Sequence, residues 1–109
     1  MPFFDINEGE MLKICGLGVN PPAETTLETL QILGGCRVVY CELADKKVFG
    51  WLKGYCRKLK RPRAAAEVVK AAKAGGEVGL AVWGHPEFSS CLAREVQLQS
   101  RKVRVPFQV

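Results

Sequence analysis

The chain has 109 residues, of which 48% are hydrophobic and 25% charged, and its formal net charge is +5. This composition is typical of one ordinary globular domain and excludes an intrinsically disordered chain. No apolar run approaches the roughly 18 residues that a membrane-spanning helix needs. Residues 1–10 lack the basic segment that begins a secretory signal peptide. We therefore expect a single domain over residues 1–109, without a membrane anchor.

The first half of the chain has the pattern strand, helix, strand. Residues 11–19 form a short apolar run that is typical of a buried parallel strand, and its glycines indicate a tight loop. Two prolines delay the next helix, which we predict over residues 23–33 because leucines recur there at helical spacing before Gly34 and Gly35. Residues 36–41, rich in valine and tyrosine, are typical of a second strand.

The second half continues the alternation. Residues 45–60 predict a helix, although two glycines within it lower the helical propensity. Residues 62–76 predict a clearer helix that begins with a proline and ends at paired glycines. We predict strands over residues 78–83 and 102–106, with a helix over residues 87–100 between them.

The alternation of strands and helices predicts the fold class. Such a pattern implies parallel crossovers, so we expect an α/β fold: a mainly parallel sheet of about five strands with helices on both faces. Ligands of these sheets bind beyond the carboxyl ends of the strands. The loops at residues 16–22 and 84–90 both leave predicted carboxyl ends. We expect them to lie together and to form the ligand cleft.

Neither loop matches a common nucleotide-binding or catalytic motif. Gly16 and Gly18 are compatible with the start of a dinucleotide fingerprint, but a proline replaces the third glycine and removes a backbone donor. No Gly-Lys-Ser/Thr sequence follows, which excludes a P-loop. His85 has Ser89 and Ser90 nearby in sequence, but no nucleophile elbow is present, so no catalytic residue is assigned.

The five cysteines give an odd count and form no Cys-x-x-Cys pair. This pattern disfavours a disulfide framework and a zinc site, and the single histidine does not complete a metal centre. We expect no metal and predict buried, reduced thiols in a cytoplasmic protein. The cysteines are Cys15, Cys36, Cys41, Cys56 and Cys91.

Half of the lysines and arginines fall within residues 46–63. Such a block attracts anions, nucleic acid among them. A solvated helix face and loop would have the same composition, and only Trp51 and Tyr55 are available to stack on bases. The block alone does not decide between these alternatives, and we expect a solvated surface rather than a nucleic-acid partner. Its members are Lys46, Lys47, Lys53, Arg57, Lys58, Lys60, Arg61 and Arg63.

Two segments resemble signatures of the tetrapyrrole methylase family. The segment ICGLGVNPPAETTLETLQILGGCRVVYCE has the family's order of strand, glycine-containing loop, helix start and Val-Val-Tyr strand. The segment AAKAGGEVGLAVWGHPEFSS is similar to a second signature, in which a strand ends in Gly-Asp-Pro or Gly-His-Pro. The resemblance extends over about residues 11–106.

The resemblance implies the N-terminal half of an S-adenosylmethionine-dependent methyltransferase, with the methyl donor held between two α/β domains. A tetrapyrrole or another large molecule is the implied acceptor. Methyl transfer mainly requires alignment of the sulfonium with the acceptor, so no acid–base pair is expected. The residues implied to border the donor are Gly84, His85, Pro86 and Phe88. Those implied to face the acceptor are Gly16, Gly18, Asn20 and Pro21.

The chain departs from the family pattern in three respects. His85 stands where many members have aspartate, and the segment VPFQV lacks the glycine and serines of the family's third loop. The family's C-terminal half is absent, so activity is expected only if a second domain or a partner closes the cleft. The alternative is a non-catalytic binding or structural module that retains the fold.

Association is expected at the open cleft edge. An isolated half leaves apolar surface uncovered near Trp83, Phe88 and Phe107, and such patches tend to be covered by a partner. We therefore expect a homodimer, which the family also forms.

Overall fold

The structure is a computed structural model that describes residues 12–17, 25–43, 45–83, 91–103, 105 and 107–108. Within these residues, strands and helices alternate, and five strands form one sheet in which every pair is parallel. The strands are β1 (Leu12–Gly16), β2 (Val38–Cys41), β3 (Leu59–Lys60), β4 (Val78–Val82) and β5 (Phe107–Gln108). The helices are α1 (Leu27–Gly35), α2 (Lys46–Lys53), α3 (Ala65–Lys73) and α4 (Cys91–Lys102).

The strand order is β3-β2-β4-β1-β5, which confirms the predicted α/β fold with a parallel sheet. β4 lies at the centre between β2 and β1, and all five of its residues are buried. A strand buried on both faces needs apolar or small side chains at every position, which explains its sequence VGLAV. Its neighbours β1 and β2 start level with it, because Leu12 and Val38 both pair with Val78.

Helices cover both faces of the sheet, as predicted. Successive strand residues point to opposite faces, so β4 contributes Leu80 to one core and Ala81 to the other. Helices α3 and α4 pack on the first face through residues such as Val68 and Val96. Helices α1 and α2 pack on the second face, where Leu33 is fully buried.

Gly79 allows α1 to approach the sheet closely. A Cβ atom at this position in β4 would lie 3.0 Å from the Leu33 side chain. It would also lie 3.2 Å from side-chain atoms of Cys36 and Val39. The absence of a side chain in the middle of the central strand therefore makes room for the carboxyl end of α1.

The turn between α3 and β4 depends on paired glycines, as the sequence predicts. Gly75 and Gly76 have φ angles of 105° and 81°, a region that residues with a Cβ rarely adopt. The Arg37 guanidinium, which comes from the segment before β2, donates hydrogen bonds to the carbonyls of Gly75 at 2.7 Å and Ala71 at 2.6 Å. The bond to Ala71 satisfies a carbonyl in the last turn of α3, and the bond to Gly75 holds the turn that follows the helix.

The helix predicted over residues 45–60 is wrong in its second half. Helix α2 ends at Lys53 with Gly54 as its C-cap, and Leu59–Lys60 form the edge strand β3. The Val39 amide donates to the Lys58 carbonyl at 2.8 Å, so β2 gains a partner on its outer side. Pairing with an open sheet edge therefore overrides the helical pattern, which Gly54 already interrupts.

The strand predicted over residues 102–106 is also misplaced. Helix α4 continues through Lys102, and the final strand is Phe107–Gln108. Basic residues in its last turn suit the negative end of the helix dipole. The Val105 amide then donates to the Ser100 carbonyl at 2.9 Å, which closes the turn before β5.

In the described part of the chain, no helix is long and apolar enough to cross a bilayer.

Candidate functional site

The carboxyl ends of β1 and β4 lie side by side. Gly16, the last residue of β1, pairs with Val82, the last residue of β4. The Leu17 amide donates to the Val82 carbonyl at 2.9 Å, so the hydrogen bonding continues one residue beyond β1. The two loops singled out in the sequence therefore start from neighbouring points on the same edge of the sheet.

From these neighbouring ends the chain proceeds to opposite faces of the sheet. The connection after β1 leads to α1, which packs on the face that contains Leu33. The connection after β4 leads to α4, which packs on the face that contains Val96. Two adjacent strands whose connections diverge in this way form a topological switch point, where open α/β sheets have their ligand crevice.

The first loop is fastened at both of its ends. Leu17 is fully buried, and the Thr25 hydroxyl donates to the Leu17 carbonyl at 2.7 Å. The next residue, Thr26, caps α1, because its hydroxyl accepts from the Thr29 amide at 3.1 Å. The two described residues that flank this segment, Leu17 and Thr25, are thus joined by a hydrogen bond.

The end of β2 adds a carboxylate beside the end of β4. The Glu42 amide donates to the Ala81 carbonyl at 2.9 Å, and the Trp83 amide donates to the Glu42 carboxylate at 3.4 Å. Trp83, the first residue after β4, is 45% exposed. Glu42 was not predicted as a site residue, although its place directly after the strand predicted over residues 36–41 was an available signal.

One of the eight predicted site residues belongs to the described residues. Gly16 is the last residue of β1, and it is half-buried at the carboxyl edge. The other members of the predicted donor and acceptor sides lie outside the described residues, so their roles remain predictions. These are Gly18, Asn20, Pro21, Gly84, His85, Pro86 and Phe88.

The cysteines are all free, and four of them belong to the core on the α1–α2 face. Burial raises the pKa of Cys15 to about 11, of Cys36 to about 12 and of Cys56 to about 11, and it also raises the pKa of Cys41. Neutral thiols of this kind are poor nucleophiles and poor metal ligands. Cys91 is exposed, contrary to the prediction of burial. Among the described residues, no group of histidine, cysteine or acidic side chains is arranged to hold a metal ion.

A groove of about 480 Å³ lies between α3 and α4, away from the strand ends. Three lysines and one glutamate, Lys70, Lys73, Lys102 and Glu95, are among its lining residues. Val69 is also among the lining residues, and the groove is open to solvent. It does not adjoin the switch point between β1 and β4.

No family model matches the sequence, and no curated protein matches it. Solved structures do match the fold. A protein from Entamoeba histolytica described as a diphthine synthase aligns with a TM-score of 0.73 at 23% identity, over 93% of this chain and 40% of its own. A conserved hypothetical protein from Aeropyrum pernix K1 aligns with a TM-score of 0.74 at 16% identity, over 93% of this chain and 38% of its own.

A third structure, the uroporphyrin-III C-methyltransferase of Thermus thermophilus, aligns with a TM-score of 0.68 at 24% identity, over 91% of this chain and 45% of its own. The two neighbours that are named as enzymes are members of the tetrapyrrole methylase family. The chain has the α/β fold that they contain, and it spans less than half of their length. At these identities the likeness establishes the fold alone.

Proposed function

We propose that this chain is the ligand-lining α/β part of an S-adenosylmethionine-dependent methyltransferase of the tetrapyrrole methylase type. The observation that carries the proposal is the switch point between β1 and β4, where Gly16 pairs with Val82 and the two connections diverge. The sequence signatures of the family fall on the two loops that leave this point. The fold shared with a methyltransferase from Thermus thermophilus supports the same assignment.

The proposed donor site is the segment that follows β4. Gly84, His85, Pro86 and Phe88 would border S-adenosylmethionine there, with His85 as a wall of the site rather than a catalyst. A glycine lets a ligand approach the main chain, because no Cβ stands in the way. The sulfonium carries a positive charge, and the Glu42 carboxylate beside the Trp83 amide adds a negative charge at this edge.

The proposed acceptor side is the segment that follows β1. Gly16, Gly18, Asn20 and Pro21 would face a tetrapyrrole or another large acceptor. The bond from Thr25 to the Leu17 carbonyl fastens this loop at its base. Methyl transfer depends on holding the sulfonium carbon in line with the attacking atom, and this alignment is the role proposed for the two segments.

A second domain or a partner chain is proposed to complete the site. The neighbours are more than twice as long as the part of them that this chain covers. A cleft open on one side loses much of its contact with the donor. We therefore expect binding by this chain alone to be millimolar, about −4 kcal/mol, rather than micromolar, about −8 kcal/mol. A homodimer is the proposed assembly, and the free thiols support a cytoplasmic location.

The alternative is a non-catalytic binding or structural module that retains the fold. Calorimetric titration of S-adenosylmethionine into the chain distinguishes the two. Millimolar binding that S-adenosylhomocysteine competes for supports the methyltransferase assignment. If neither compound binds at 10 mM, the binding free energy is weaker than about −2.7 kcal/mol, and the non-catalytic module is supported.

A further inference from the structure

The positive charge of the chain is concentrated in one sixth of its length. Residues 46–63 contain eight lysines and arginines and no acidic residue. The other 91 residues carry eight basic and eleven acidic side chains, so they are net negative. The net charge of +5 therefore arises entirely from this segment, which comprises α2, β3 and the residues around them.

All eight basic side chains are exposed. Within the described part of the chain, no side-chain hydrogen bond or ion pair engages Lys46, Lys53, Arg57, Lys58 or Lys60. Repulsion among cations held close together raises the free energy of the folded chain, and a bound polyanion would relieve it. We call the exposed side of α2 and β3, from residue 46 to residue 63, the basic surface.

The basic surface is continuous from α2 to the end of β3. The Arg61 guanidinium lies over the Phe49 ring at 4.3 Å and donates to the Leu43 carbonyl at 2.9 Å. On α2, Lys46 is three residues before Phe49 and Lys53 four residues after it, so both lie beside that ring on the helix surface. The contact between Arg61 and Phe49 thus joins the lysines of the helix to the cations of the edge strand.

Two aromatic rings lie at the carboxyl end of α2, next to the basic loop. The Trp51 and Tyr55 rings meet edge to face, with centroids 5.5 Å apart. Tyr55 is 49% exposed, and it lies in the connection that also carries Arg57 and Lys58. The Phe49 ring is covered by Arg61 and is not available for stacking. Tyr55 is therefore an exposed ring, in contact with Trp51, in the same connection as Arg57 and Lys58.

We propose that the basic surface binds single-stranded nucleic acid, with phosphates on the cations of α2 and its following loop and one base stacked on Tyr55. Cations that follow a backbone, combined with an exposed aromatic ring, are the features by which proteins hold unpaired strands without reading their sequence. A duplex presents phosphates but no free base face, so the aromatic pair favours the single strand. The inference rests on the cations of residues 46–63 and on Tyr55, and it does not depend on the proposed methyltransferase.

The test uses the 109-residue chain and a fluorescein-labelled 15-nucleotide single strand of mixed pyrimidines, followed by fluorescence anisotropy. Binding in the micromolar range at 50 mM salt is expected, with affinity falling steeply as salt is added. The triple variant Lys53→Ala, Arg57→Ala, Lys58→Ala removes three exposed cations. We expect it to reduce the slope of log affinity against log salt by about 2, because each phosphate contact contributes about 0.7.

A matched control makes the same change of charge elsewhere. Lys70→Ala, Lys73→Ala, Lys102→Ala removes three cations from the groove between α3 and α4, and it should leave the salt slope unchanged. Circular dichroism melting establishes that both variants are folded. An equal loss in both triple variants would overturn the proposal, because it would show attraction to net charge rather than binding at the basic surface.

The aromatic component is tested separately. Tyr55→Ala should weaken binding about fivefold or more, whereas Tyr55→Phe, which keeps a ring, should not. A labelled duplex of the same length should bind more weakly than the single strand. The proposal is overturned if the duplex binds more tightly, if Tyr55→Ala has no effect, or if phosphatidylserine vesicles bind the chain while the oligonucleotide does not.

Discussion

The Leu17 amide donates a hydrogen bond to the carbonyl of Val82 at 2.9 Å, one residue beyond the end of β1. This bond fixes the starting points of two connections that then run to opposite faces of the sheet. The candidate site is assigned to this place because open α/β sheets bind their ligands between neighbouring strand ends whose connections diverge. The same two connections belong to the segments that resemble the tetrapyrrole methylase family.

The donor assignment predicts unequal effects for two neighbouring substitutions. Gly84→Val should abolish binding of S-adenosylmethionine, because a branched side chain would occupy the space through which the ligand reaches the main chain. His85→Ala should weaken binding by about tenfold or less, roughly the effect of one lost hydrogen bond. Calorimetric titration of each variant measures the difference.

The control for these variants is Gly50→Val on the exposed side of α2. A Cβ at Gly50 would have no heavy atom within 4 Å, so this substitution should leave ligand binding unchanged. Equal binding by Gly84→Val and by the unmodified chain would remove the segment after β4 from the donor site.

The buried thiols predict a loss of stability at alkaline pH. Burial raises the pKa of Cys36 from an unfolded value near 9.0 to about 12, so the unfolded chain releases its proton first. The stabilisation is fully present below pH 9 and is lost as the pH rises from 9 towards 12. Urea unfolding midpoints should therefore fall above pH 9, and they should fall less steeply in Cys36→Ala. The same pH dependence in the unmodified chain and in Cys36→Ala would contradict a raised pKa for the Cys36 thiol.

Arg37 should stabilise the fold through the end of α3. Its guanidinium bonds the carbonyls of Ala71 and Gly75, so Arg37→Ala should lower the free energy of unfolding by about 1–2 kcal/mol. Arg37→Lys should lose less of the free energy of unfolding than Arg37→Ala does. An ammonium keeps the charge at the helix end, although it lacks the planar pair of donors. Urea denaturation of both is the measurement. Arg57→Ala, which removes an equally charged exposed side chain, is the control and should have little effect.

The dimer prediction depends on a smaller apolar surface than the sequence suggested. Trp83 lies at the carboxyl edge and is 45% exposed. Phe107 pairs with Leu12 at the other end of β1, so it does not adjoin Trp83 at that edge. Phe88 lies outside the described residues. Trp83 therefore remains the described residue on which the predicted contact depends.

Sedimentation velocity tests this prediction. A particle of about 24 kDa is expected, twice the 12.0 kDa of the chain. Trp83→Ser should shift the population towards the monomer, and Tyr55→Ser, which changes a ring of similar exposure, should not. A 12.0 kDa particle at high protein concentration would contradict the homodimer.

The sequence predicted the elements whose pattern is local. β4 is an unbroken apolar run, and the glycines after α3 have the positive φ angles that end a helix. β3 escaped prediction because its two residues, Leu59 and Lys60, have no pattern of their own and form a strand through pairing with β2. The contact between the Glu42 carboxylate and the Trp83 amide was not predicted, because it too depends on the pairing of strands. It requires β2 to lie beside β4, and the order of strands in the sheet cannot be read from their order in the chain.

Titration of the isotopically labelled chain with S-adenosylmethionine, followed by amide chemical-shift changes, tests whether the ligand binds at the ends of β1 and β4. Millimolar binding is suited to this measurement, because each amide reports its own surroundings. The proposed donor site predicts shifts at Gly16, Leu17 and Trp83 around the ends of β1 and β4, with none at Lys70 or Lys73 in the groove between α3 and α4. Shifts confined to that groove would contradict the proposed donor site. The absence of shifts at 10 mM ligand would also contradict it, because binding would then be weaker than about −2.7 kcal/mol.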